Sequence, residues 1–403
     1  MPDFLPFRGT RYRDASALSS LVAPPYDVID EEERAALEAA DPHNAVRLIL
    51  PRPAPPADAY AHAAADFAAW LADGVLATDA GDTFYGYEMR FIGADGEARR
   101  TRGVLGALTL PHPGDADVLA HERTLPKARS DRLALLRATR ANLDPIGCLS
   151  LAPGLTDVVP DGRPIAQATD PSSTEHTLTA IADAASLEAV RRRVAGAALV
   201  IADGHHRFET ACTYRDEHPG DAGAARLLTL VVELDEGILD VRAIHRLLHH
   251  APADLRARLG AVAAVEEAGP NTEANVDRLV DGPERGDALV LVDRDGCARV
   301  VLDEATTRML DEQLPGELRQ VDAARFDVAL RPQLGDTELA YRDDAVTVAA
   351  LVAKGVTDAA VLLRPVTVPQ IRAAAHAGIR MPEKTTFFWP KPRTGMVFRR
   401  LDD

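Results

Sequence analysis

The chain has 403 residues, 46% of them hydrophobic and 27% charged, a globular profile too long for one ordinary core. A formal net charge of −17 disfavours sequence-independent binding to nucleic acid, since an acidic surface repels a polyanion unless a basic stripe intervenes. No apolar run approaches the eighteen or so residues of a membrane helix, and Cys148, Cys212 and Cys297 form no CxxC pair, which argues against a disulfide framework or a cysteine zinc site.

MPDFLPFRGTRYRD lacks the basic-then-apolar layout of a secretion signal, so a reducing cytoplasm is the expected compartment. In LSSLVAPPYDVI, Pro24 and Pro25 hold the backbone extended before Tyr26 and Asp27. Asp30 reads as the N-cap of a helix, EEERAALEAA, with acids in its first turn. NAVRLIL reads as a short strand and PRPAPPAD as a rigid connector. AYAHAAADFAAWLADG reads as a helix with Tyr60, Ala64, Phe67 and Leu71 on one face and Gly74 as its stop. Ala94-Asp95-Gly96 signals a hairpin between TFYGYEMRFIG and EARRTRGVLGALTL. The segment HERTLPKARSDRLALLRATRANLDP turns helical after Pro126, with Ser130 or Asp131 as cap, and stops at Asp144-Pro145.

LVIAD then reads as a short buried strand, and FETACTY as a helix burying Phe208, Ala211 and Cys212. ARLLTLVVEL reads as another buried strand, beside LVIAD in one sheet. From about Ile244, Ala-rich helices alternate with strands such as ALVLVD and ARVVLD, the texture of a second α/β domain. The closing IRMPEKTTFFWPKPRTGMVFRRLDD is aromatic and basic and is expected to dock on the body of the protein.

Three constellations can carry chemistry. In Asp203-Gly204-His205-His206-Arg207 a strand runs into a helix through a glycine, which aims backbone N–H groups and the positive helix end at the strand edge. Gly204 lets a phosphate approach the backbone, Arg207 and a histidine add charge-assisted hydrogen bonds, and Asp203 suits a Mg²⁺ ion. The alternative is a capping aspartate with solvated histidines. In His121-Glu122-Arg123, Glu122 can serve as general base beside the basic run Arg123, Lys127, Arg129, Arg132, Arg137 and Arg140, or the run is a salt-bridged helix face. Lys384-Thr385-Thr386 can bind a small polar group, or it is a packed C-terminal strand.

In order, LPFRG, APPYDVI, HERTLPK, DGHHR and MPEKTTFFWPKP resemble the bacterial and archaeal domain-of-unknown-function family numbered 1015, from Phe4 to Leu401. More distantly, DGHHR and its helix are similar to the phosphate-binding box of the ParB/sulfiredoxin superfamily. Within it, a His-Glu step, DGHHR and a late Pro-x-Lys-Thr-Thr resemble the free serine kinases, which phosphorylate serine from ADP or ATP. That resemblance implies an α/β (mixed α+β) fold with a ParB/sulfiredoxin-like core. It implies Glu122 as catalytic base and Asp203 as a second catalytic or Mg²⁺-binding acid. His121, Arg123, Gly204, His205, His206 and Arg207 would hold nucleotide phosphates, and Lys384, Thr385 and Thr386 would lie near serine or phosphoserine. The expected layout is an N-terminal α/β region (1–110), the phosphate-binding core (111–243), a second α/β domain (244–380) and a C-terminal segment returning to the site (381–403), in a possible homodimer. The small serine kinases lack the roughly one hundred extra N-terminal residues that carry APPYD. A ParB-like nucleotide switch without turnover is the competing reading. A sulfiredoxin-like reaction is disfavoured, because His205 and His206 stand where that likeness requires a cysteine.

Overall fold

The computed structural model describes residues 1–53, 58–93, 96–112, 114–120, 126–235 and 237–402. It divides into two compact units, one of Met1–Ala120, Thr124–Asp240 and Pro390–Asp403, the other of Val241–Trp389. Both are mixed α/β. Among the described residues no helix is long and apolar enough to cross a membrane.

The first unit is built on a nine-stranded sheet. Phe84–Ile92 and Ala98–Thr109 pair antiparallel, Tyr85 opposite Leu105 and Ile92 opposite Ala98, as the hairpin expectation requires. Arg226–Glu233 lies on the other side of Ala98–Thr109, antiparallel to it and parallel to Ile146–Ser150. Leu199–Asp203 follows, antiparallel to Ile146–Ser150 and parallel to Val118–Ala120. LVIAD and ARLLTLVVEL therefore share a sheet as expected but are not neighbours in it, because Ile146–Ser150 pairs with both and lies between them. Phe84, Val104, Ile146, Leu199 and Val231 are fully buried in the core below. Burying each such side chain contributes about 1.5–3 kcal/mol.

Four segments depart from the sequence expectations. NAVRLIL forms a short buried helix, Val46–Ile49, opened by the Asn44 side chain, which accepts from the Val46 amide at 2.9 Å. A short apolar run has no periodicity that separates a buried strand from a buried helical turn. The helix after Pro126 begins at Pro126 itself, where a proline suits the first turn because that N–H has no intrahelical partner. It ends at Thr139, before Asp144-Pro145, and Ala141–Asn142 turns into a short strand. Helix Ala59–Ala72 buries Ala63, Phe67 and Trp70, a face rotated from the expected one, and Gly74 ends it with φ at +73°.

The C-terminal Phe398–Arg400 belongs to the first unit. It pairs with Gly9–Tyr12 and with Ala141–Asn142, and Phe398 is fully buried. The second unit is an antiparallel six-stranded sheet, ordered Ala263–Glu267, Gly296–Leu302, Leu289–Asp293, Ala359–Leu362, His245–His249, Glu338–Arg342. Val290, Val292, Val348, Ala360 and Leu362 centre its core.

Candidate functional site

Strand Leu199–Asp203 is fully buried at Leu199, Val200 and Ile201, and its register against Ile146–Ser150 breaks between Ile201 and Asp203. Such an irregularity re-aims the side chain that follows it. Gly204 then adopts φ +87° and ψ +31° and opens the thirteen-residue helix His205–Glu217. The turn demands glycine twice. The left-handed conformation penalises any Cβ, and a Cβ here would meet Ile146 Cγ2 at 2.8 Å and Arg207 Nε at 3.0 Å. The helix buries Phe208, Thr210, Ala211 and Tyr214, while Cys212 is half-buried and packs against the edge of the core. His205 and His206 occupy its first turn, where amides lack intrahelical partners and the helix end is positive.

Asp203 is gripped by two cations. Its Oδ2 accepts from Arg207 Nη2 at 2.5 Å, and its Oδ1 accepts from Lys391 Nζ. Arg207 also donates through Nη1 to Pro145 O at 2.6 Å, while its buried Nε has no partner among the described residues. Burial works against charge on both Asp203 and Lys391. The attraction prevails: Lys391 and Arg207 hold Asp203 well below the usual carboxylate range, and Asp203 and Asp27 hold Lys391 above the usual lysine value.

Lys391 lies in Pro390-Lys391-Pro392, and the segment is stitched into the first unit just beyond. The Arg393 amide donates to Tyr87 Oη at 3.0 Å, and its guanidinium pairs with Asp170. Asp170 also meets buried His176 at 3.3 Å, whose Nδ1 lies 3.0 Å from Tyr87 Oη. Burial lowers the pKa of His176, and a neutral ring satisfies the chain if Nε2–H donates to Asp170 and Nδ1 accepts from Tyr87. Thr394 exchanges backbone hydrogen bonds with Ala23 at 2.9 and 3.1 Å, and its hydroxyl donates to Asp144 Oδ1.

Asp144 brings LDP into the same neighbourhood. Burial pushes its carboxyl up to about 6 against the pull of Arg207 and Arg132, with Asp27 and Asp203 adding repulsion. The Arg132 guanidinium lies 4.1 Å from the centre of the Tyr26 ring and donates to Ile49 O at 2.8 Å. Burial pushes the Tyr26 hydroxyl up to about 12. Behind Arg207 a cavity of about 60 Å³ is lined by Asp144, Arg132, Asn142, Thr210 and apolar side chains.

Four sequence-distant pieces therefore meet in one unit: APPYD, LDP, DGHHR and KPRT. Asp144, Lys391 and Thr394 are not among the expected site residues, and Arg132 is expected only as one member of the basic run. The one cue for Lys391 was a lysine fixed between two prolines. Farther along the basic run, Arg137 pairs with Glu217, and Arg140 with Asp402 and Asp221, as the salt-bridged alternative expects. His121, Glu122 and Arg123 lie outside the described residues. Lys384, Thr385 and Thr386 belong to the second unit. There the carbonyl of Lys384, at φ +56°, accepts from Arg246 at 2.9 Å, and the Thr385 hydroxyl donates to Pro382 O at 2.7 Å.

No curated protein matches the sequence. Among solved structures, the chain is similar to a conserved hypothetical protein from Pyrococcus furiosus, at 16% identity over 71% of this chain and 93% of that one, with a TM-score of 0.39. It is similar to a mutant free serine kinase in complex with AMP, at 15% identity over 75% of this chain and 93% of that one, with a TM-score of 0.43. The same free serine kinase mutant in complex with ADP gives 15%, 71%, 90% and 0.41 for the same quantities. The chain belongs to the family described as Protein of unknown function (DUF1015), which matches residues 4–324.

Proposed function

We propose that the chain is a phosphotransferase that moves a phosphoryl group between a nucleotide, ADP or ATP, and free L-serine, or back from O-phosphoserine. The observation that carries this reading is the turn at Gly204. There a helix N-terminus, the Arg207 guanidinium and a buried carboxylate held charged by two cations occupy one place. Phosphoryl transfer asks for such positioning and charge neutralisation more than for covalent help from the protein.

In the forward step the serine Oγ gives its proton to the Glu122 carboxylate as the Oγ–P bond forms. The bond from the terminal phosphorus to its bridging oxygen breaks, and that oxygen leaves with the electron pair on AMP or ADP. Gly204, His205, His206 and Arg207 cradle the phosphates, and the motif resemblance alone assigns His121 and Arg123 to them as well. Lys384, Thr385 and Thr386 are assigned to the amino acid on the motif resemblance alone.

A Mg²⁺ ion on Asp203 does not fit the described residues. Both Asp203 oxygens are engaged, Oδ1 with Lys391 and Oδ2 with Arg207. Among the described residues no three His, Cys, Asp or Glu side chains converge to hold a metal.

³¹P NMR tests the reading, with protein given ADP and O-phosphoserine, then ADP or ATP and L-serine. Transfer in either direction is expected, and Glu122→Ala is expected to lose about 10²–10⁴-fold in rate while keeping nucleotide affinity. Nucleotide binding without transfer points to a ParB-like switch instead, and neither signal returns DGHHR to a purely structural turn.

A further inference from the structure

We propose that Lys391 is the cation that meets the nucleotide's terminal phosphate, and that it rests on Asp203 Oδ1 in the position a divalent cation would otherwise take. This deepens, and rests on, the phosphotransferase reading.

The cluster around the Gly204 turn is balanced as it stands. Asp27, Asp144 and Asp203 face Arg132, Arg207 and Lys391. A nucleotide terminus adds at least two negative charges, and among the described residues of this cluster a cation that leaves an internal partner would offset them. Arg132 is tied to Ile49 O and to Asp131. Arg207 is tied to Pro145 O as well as to Asp203, and its rigid fork re-aims poorly. Lys391 carries a compact charge on a four-carbon stem that swings while its backbone stays fixed. The backbone is fixed indeed, between Pro390 and Pro392 and by the bonds of Arg393 to Tyr87 and of Thr394 to Ala23.

A second feature points to a ligand at this place. The Arg207 side chain is 10% exposed, yet its Nε has no hydrogen-bond partner among the described residues, and such buried donors are rare in folded proteins. A phosphate oxygen at the turn would accept from it. As Lys391 swings to that phosphate, Asp203 Oδ1 is released and Arg207 keeps Oδ2. The lysine thus does the neutralising that the donor set of Asp203 does not offer a metal.

The test is ADP titration by calorimetry in the presence of EDTA, with Mn²⁺ binding followed separately by EPR in the absence of nucleotide. Wild type is expected to bind ADP without metal. Lys391→Met is expected to weaken ADP by about tenfold or more, the loss of a charge-assisted contact, whereas Lys391→Arg keeps most of the affinity. Lys391→Met is also expected to gain Mn²⁺ binding that Asp203→Asn combined with Lys391→Met lacks. The double variant leaves no lone buried carboxylate, so it folds where the single variant fails, and it too should bind ADP about tenfold more weakly. ADP affinity at the wild-type level in Lys391→Met or in the double variant overturns the proposal, as does wild-type Mn²⁺ binding that Asp203→Asn abolishes. A wild type that binds no ADP at all overturns instead the phosphotransferase reading beneath it.

Discussion

In the second unit, buried Asp322 receives Arg285 Nη2 at 2.9 Å, Arg325 Nη1 at 3.4 Å and Arg364 Nη2 at 2.7 Å. In the first unit, Asp203 receives Arg207 and Lys391. On paper both are buried carboxylates gripped by more than one cation, but the cations differ in what else they hold. Arg285 donates to Ala288 O at 3.0 Å, Val280 O at 3.3 Å and Leu362 O at 3.0 Å, and Arg325 donates to Asp287 O at 2.8 Å. The Arg364 amide donates to Asp322 Oδ2 at 2.9 Å as well. These guanidinium groups bind carbonyls from a helix end, a strand end and the intervening loop to one carboxylate and serve as internal mortar. Around Asp203, by contrast, Arg207 has a buried Nε without a partner among the described residues, one cation is a lysine, and the cluster sits at the start of a helix behind a left-handed glycine. A cluster saturated by backbone carbonyls reads as structural, and one with an unsatisfied donor at a helix N-terminus reads as a site.

The contrast breaks hardest at Asp322. Asp322→Ala strips the carboxylate from an Arg285 side chain that is only 2% exposed, and removing one partner of a buried pair costs about 3–5 kcal/mol. Urea denaturation should show that loss; a change under about 1 kcal/mol would mean the carbonyls alone hold the arginines. Gly204→Ala comes next. It costs about 1–2 kcal/mol for the left-handed backbone and about 1–3 kcal/mol for the contact with Ile146 Cγ2 at 2.8 Å. Unlike Asp322→Ala, it should also weaken ADP measurably in calorimetry, because the collision displaces the helix start and Arg207. Unchanged ADP affinity in a destabilised Gly204→Ala protein would place the nucleotide elsewhere.

Asp144 gives a smaller, pH-dependent effect. Its carboxyl is raised to about 6 by burial, above the value near 3.9 of an unfolded aspartate. The folded state then binds the proton more tightly than the unfolded one, so this group's contribution is fully present below about pH 4 and is lost as pH rises through about 6. Asp144→Asn keeps an acceptor for the Thr394 hydroxyl and removes the titration. The variant's stability relative to wild type should therefore improve by about 2 kcal/mol between about pH 4 and pH 7 in parallel denaturation series. A flat difference would show that Arg207 and Arg132 already keep Asp144 ionised at low pH.

Much of the site's local structure was legible, because local rules write it. Apolar LVIAD before Gly204 and a helix-forming stretch after it predict the strand, turn and helix found, and Asp-Gly at residues 95 and 96 predicts the pairing of Phe84–Ile92 with Ala98–Thr109. Asp30 caps its helix as expected, accepting from the Glu33 amide at 2.9 Å. What stayed hidden depends on long-range partners. Asp144 looked like a helix stop, and nothing near it in the chain announces Thr394 or Arg207. Lys391 lies 188 residues from the aspartate it holds, and local pattern carries no trace of that distance. NAVRLIL failed for the opposite reason, since its burial is fixed by tertiary packing while its run is too short to show a period.

The smallest test reaches the cluster from farthest away. Tyr87 Oη accepts the Arg393 amide and bonds His176, both deep in the first unit. Tyr87→Phe keeps the ring and removes these bonds, leaving the Arg393 amide and a histidine nitrogen without their partner, at a cost of about 1–2 kcal/mol. The substitution touches neither Asp203 nor Lys391. It loosens the backbone two residues beyond Lys391, so Lys391 should be held less firmly at the turn, and ADP affinity should fall by a few-fold alongside the stability. If the stability falls and ADP affinity does not, the Tyr87–His176–Asp170 chain is mortar of the Asp322 kind. If both fall together, the buried chain is a positioning device for Lys391.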